Sequence, residues 1–61
     1  MLDPQDLAAY VKERRKSHGL SQALLASHAR VRPSQVKRIE QGQELPMDAR
    51  IRILRALESL A

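Results

Sequence analysis

The sequence contains no cysteine, no phenylalanine and no tryptophan, and its one aromatic residue is Tyr10. Without cysteine, neither a disulfide nor a cysteine-based zinc site can staple the chain. The two histidines, His18 and His28, have no ligand-like spacing with the carboxylates Asp48 and Glu58, so no metal centre is expected. His28 reads as a surface or backbone-contacting histidine. Binders of single-stranded nucleic acid stack bases on aromatic platforms, and one tyrosine supplies none. The chain has no apolar run of membrane length, no signal-peptide pattern and no lipidation motif, so a cytoplasmic protein without membrane contact is expected. No Gly-rich phosphate loop and no nucleophile–base pairing occur, and 61 residues leave little room for a pocket. An enzyme is therefore not expected, and no cofactor is implied.

What is present is helical. The chain is rich in Ala, Leu, Arg, Gln and Glu, all strong helix formers. No run alternates as a strand would. An all-α fold occupying residues 1–61 as one domain is expected. A chain this short buries only about 60% of its unfolded surface, so helix packing or oligomerisation must support it. Lys plus Arg number 11 against 7 Asp plus Glu, a net +4. That excess favours a polyanionic partner, although a small solvated surface can carry the same charge.

The helix starts are marked. Asp3 can cap a first helix with Pro4 at its first position, running to about Ser17, with Gly19 as the left-handed residue beyond it. Leu7, Ala8, Val11 and the aliphatic stem of Arg15 share its inner face. The cations Lys12, Arg14, Arg15 and Lys16 gather toward its end, where the helix dipole favours them; some could also reach phosphates. Ser21 caps a second helix over about 22–29, with Leu25, Ala26 and Ala29 on one face. Pro33 opens a third over about 33–41, with Gly42 beyond it. Val36 and Ile39 lie inward, and Val31 plugs the turn. The outer side of this third helix carries Ser34, Gln35, Lys37 and Arg38, a set of amide, hydroxyl and cations that suits a DNA major groove.

A fourth helix is expected over about 47–60. It carries two apolar stripes. Met47, Ile51, Leu54 and Ala61 form one, and Ile53, Leu57 and Leu60 form the other. One stripe can close the core. The second, taken as Ile53, Leu57 and Leu60, is expected to form a homodimer interface, unless both stripes are core.

The segment GLSQALLASHARVRPSQVKRIEQG, residues 19–42, resembles the helix-turn-helix of the phage lambda repressor type, also called XRE-like regulators. The resemblance implies a compact four- to five-helix domain, and the chain stops where the family's fifth helix would begin. It implies that Gln22 holds a DNA phosphate and that Ser34 and Arg38 touch base edges, flanked by Gln35 and Lys37. It pairs Arg15 with Glu40 in a semi-buried salt bridge, the plain alternative being a solvated Glu40. Departures from the pattern are equally informative. Arg30 stands where the family usually has Gly, and Pro33 replaces a frequent base contact. Arg14 replaces a buried Leu, and Gln43-Glu44 lacks the usual cations. The phosphate grip is then expected from Arg30, Arg32 and Lys37.

Such relatives imply a sequence-specific regulator of double-stranded DNA, expected to act as a homodimer because one recognition helix alone reads too few base pairs to be selective. They include phage repressors, restriction–modification controller proteins and antitoxins of toxin–antitoxin pairs, the last implying a toxin as partner protein. The other reading is a protein-interaction module that uses this fold without reading DNA.

Overall fold

The computed structural model describes residues 3–60. Four helices occur among them: α1 (Pro4–Ser17), α2 (Gln22–Ala29), α3 (Pro33–Glu40) and α4 (Met47–Ser59). No strand is present among the described residues.

Local chemistry sets the ends. Asp3 Oδ1 accepts the N–H groups of Gln5 and Asp6, each at 2.9 Å. Those two amides would otherwise lack partners in the first turn, and they hold the Asp3 carboxyl below its ordinary pKa. Ser21 Oγ accepts the Leu24 N–H at 3.0 Å and starts α2. Three helices then stop by the same double closure. The Leu20 N–H donates to the Arg15 carbonyl, Val31 to Ala26, and Gln43 to Arg38, each beside a second, shorter-range bond. The closure needs a left-handed residue. Gly19 (φ 68°) and Gly42 (φ 78°) supply it after α1 and α3, and Arg30 (φ 59°) supplies it after α2. A side chain in that region costs on the order of 1 kcal/mol. The tight turn that joins α2 to α3 is therefore kept despite the missing glycine.

The core lies where the four helices meet. Val11, Leu25, Val36, Ile53 and Leu57 are fully enclosed, and each such side chain contributes roughly 1.5–3 kcal/mol on burial. Leu45, from the α3–α4 connection, joins them, as do Ala49 and Ala56 of α4. Small residues at 26, 29, 49 and 56 let the backbones approach.

This packing corrects the expected division of α4. Ile53 and Leu57 are both 0% exposed, inside their own chain's core, and Leu60 is half-buried. Ile53 and Leu57 therefore cannot form a dimer face. The exposed apolar residues are Met47 (62%) and Ile51 (39%). At about 100° per residue, both fall opposite Ala49, Ile53 and Ala56, whereas Leu54 reaches back to the core from the flank. The physical reason is the pair of alanines. Residues 49 and 56 extend the Ile53–Leu57 stripe into a broad surface on which α2 can rest, although alanines weigh little in a hydrophobic pattern.

Candidate nucleic-acid interface

α3 has two polar edges with opposite treatment. The inner edge carries Glu40, whose carboxylate joins three helices. Arg15 of α1 donates from Nε to Glu40 Oε2 at 2.6 Å and from Nη2 to Oε1 at 3.0 Å, a two-pronged ion pair. Its third nitrogen, Nη1, donates to the Leu20 carbonyl at 2.8 Å. Gln22 of α2 adds a bond from Nε2 to Glu40 Oε1 at 3.1 Å. Burial pushes the Glu40 carboxyl up, but the bonds from Arg15 and Gln22, with the charges of Arg15 and Lys12, outweigh it and hold it below its ordinary value. The same bond to Glu40 raises Arg15, against the opposing effect of its burial. Both groups stay charged, and the start of α2 is fixed against α3.

The outer edge carries Ser34, Lys37 and Arg38, all exposed. Among the described residues none of these three side chains is hydrogen-bonded or ion-paired within the protein. With its side chains α3 is about 10–12 Å across, which fits a major groove about 12 Å wide. Arg32 is exposed just before its first turn.

Three expected site residues hold different places. Gln35 is half-buried, and its Oε1 accepts the Arg32 N–H at 3.1 Å. It caps α3, which ties down its side-chain oxygen while its amide nitrogen stays without a partner among the described residues. Gln22 has turned its side-chain amide toward Glu40. What α2 presents outward is its first backbone N–H groups, which suit an anion without any side chain. Arg30 lines a shallow groove with His28, Arg52 and Arg55, and no α3 residue shares that lining. Pattern spacing could not reveal the Gln22–Glu40 bond, because the partners are 18 positions apart. The capping role of Gln35 had a local signal, its position three residues after Arg32.

Arg14, in the place of a buried leucine, is half-buried with its guanidinium 5.9 Å from the Tyr10 ring centroid, and its Nε has no partner. The ring face attracts the cation and covers its stem.

A family model described as a helix-turn-helix domain matches residues 6–60. The chain belongs to the helix-turn-helix domain family. The match spans all four helices and agrees with the lambda-repressor-type resemblance of residues 19–42. No curated protein matches the sequence. Helix-turn-helix domains typically bind DNA by laying the second helix of the motif in the major groove, and that helix is α3 here. No helix among the described residues is long and apolar enough to cross a membrane, and no group of three metal-ligating side chains lies together among them.

Proposed function

We propose that this protein binds double-stranded DNA in a sequence-specific manner as a homodimeric transcriptional regulator. The observation that carries this reading is the unpaired polar outer edge of α3, held rigid from behind by Val36, Ile39 and the Arg15–Glu40–Gln22 cluster. Ser34 and Arg38 read base edges, Arg38 with the two-pronged geometry that fits guanine O6 and N7. Lys37, Arg32 and the amino end of α2 hold phosphates. Gln35 contributes its amide nitrogen, since its oxygen is engaged in the cap.

Two turns of helix touch only a few base pairs, so selective binding calls for two copies. A two-fold pair places its α3 helices about 34 Å apart on one face of the duplex. The exposed Met47–Ile51 face of α4 is the surface for that pairing. Control as a phage-type repressor, a controller protein or an antitoxin with a toxin partner is compatible with this arrangement.

A titration of labelled duplex at increasing salt tests the reading. Affinity is expected to fall with a log–log slope of about −3 per protomer if three phosphates are neutralised. Absence of binding to any duplex at low salt would assign the fold to protein interaction instead. Ile51→Glu is expected to halve the sedimenting mass, and an unchanged mass would place the dimer contact elsewhere.

A further inference from the structure

The open groove between the end of α2 and α4 is lined by His28, Ala29, Arg30, Arg52, Arg55 and Ala56, with Ser59 at its end, and offers about 440 Å³. It gathers three guanidiniums and an imidazole with no carboxylate in its lining. None of the three arginines is ion-paired among the described residues. The Arg52 Nη1 lies 3.5 Å from the Arg30 carbonyl, a weak link between the walls that leaves the other guanidinium nitrogens outward. Like charges on one groove repel one another, so the cluster is held together by the fold and relieved by an anion. The floor is made of Ala29 and Ala56, both buried, which leaves the trough open but offers no large apolar surface. Ser59 does not compete for a ligand, because its Oγ already donates to the Ala56 carbonyl at 2.9 Å.

We propose that this groove docks an acidic segment of a partner protein, with Asp or Glu carboxylates received by Arg30, Arg52 and Arg55. Charge complementarity selects the occupant. The guanidinium fork matches carboxylates in pairs, and a second copy of this chain, at net +4, is electrostatically disfavoured. Because α3 contributes nothing to the lining, the groove is separate from the edge assigned to DNA, and the proposal does not rest on that assignment.

Fluorescence anisotropy with a labelled Glu-rich peptide and, separately, a labelled random duplex tests it. Three proteins are compared: the unmodified chain, Arg52→Gln with Arg55→Gln in the groove, and Lys12→Gln with Lys16→Gln on α1, the last having the same net charge as the groove variant. Far-UV circular dichroism confirms that each is folded, and Arg55→Gln alone replaces the groove variant if the pair does not fold. The groove variant is expected to lose about tenfold or more in peptide affinity, the α1 variant to lose little, and duplex affinity to fall alike in both. Equal peptide losses in both variants would reduce the effect to net charge. A larger duplex loss in the groove variant would make the groove a phosphate contact. No binding of the Glu-rich peptide above a neutral control would also overturn the proposal.

Discussion

The two edges of α3 are both polar and end in opposite states. On the inner edge, Glu40 accepts three bonds from Arg15 and Gln22. On the outer edge, Lys37 and Arg38 are exposed and have no partner in the chain. A polar group whose bonds are satisfied at low exposure fixes the fold. One left unpaired at the surface is available to something else. The comparison separates residues by their partners rather than by their type, and it groups Gln22 and Gln35, each bonded within the chain, with the inner edge.

The largest disruption is expected away from both edges. Leu57→Glu places an unpaired charge in the core. It should abolish cooperative unfolding in urea, and a folded, merely monomeric product would restore Leu57 to an interface. Glu40→Ala leaves the Arg15 guanidinium without its anion on the inner edge, and a stability loss of about 3 kcal/mol is expected from the shift in urea midpoint. The same pair sets an acid limit. The Glu40 carboxyl is held below its ordinary value near 4.5, so its contribution is complete above that pH. As the pH falls further, the unfolded chain takes up the proton first, and stability is lost progressively until Glu40 itself protonates. Glu40→Gln should flatten that acid limb of the stability profile.

On the outer edge, Arg38→Ala should change stability by less than about 0.5 kcal/mol and remove about 1–3 kcal/mol of base discrimination in competition binding. A uniform loss over all sequences would make Arg38 a phosphate contact. The smallest effect belongs to the end of α2. Arg30→Gly should raise stability by about 0.5 kcal/mol, because glycine accepts φ 59° freely but loses more entropy on folding.

The helix starts were legible because their signals are local. Asp3 and Ser21 cap as their types suggest, and Pro33 fixes a first turn whose N–H would be free anyway. The inner faces of α1 and α2 were legible from the spacing of Leu7, Val11, Leu25 and Ala29. α4 was not. Its two stripes are nearly equal in apolar character, and periodicity cannot say which one meets α2. The decision came from Ala49 and Ala56, whose small side chains carry little weight in a hydrophobic pattern but allow close approach. The groove was missed for a related reason. Arg52 and Arg55 lie one turn apart on α4, but Arg30 is more than twenty positions away, and only the contact of α2 with α4 brings it to them.

The sequence by itself determined four helix-forming segments, the tight turn between the second and third, and the polar character of the third helix's outer side. Caps, turns and single-helix periodicity depend on neighbours a few residues away, so the order of residues fixes them. Tertiary structure alone decided which face of α4 is interior, which amides are consumed by Glu40 and by the Arg32 turn, and that Arg30 shares a groove with Arg52 and Arg55. Those outcomes depend on side-chain volume and partner geometry between helices, which become defined only when the helices pack.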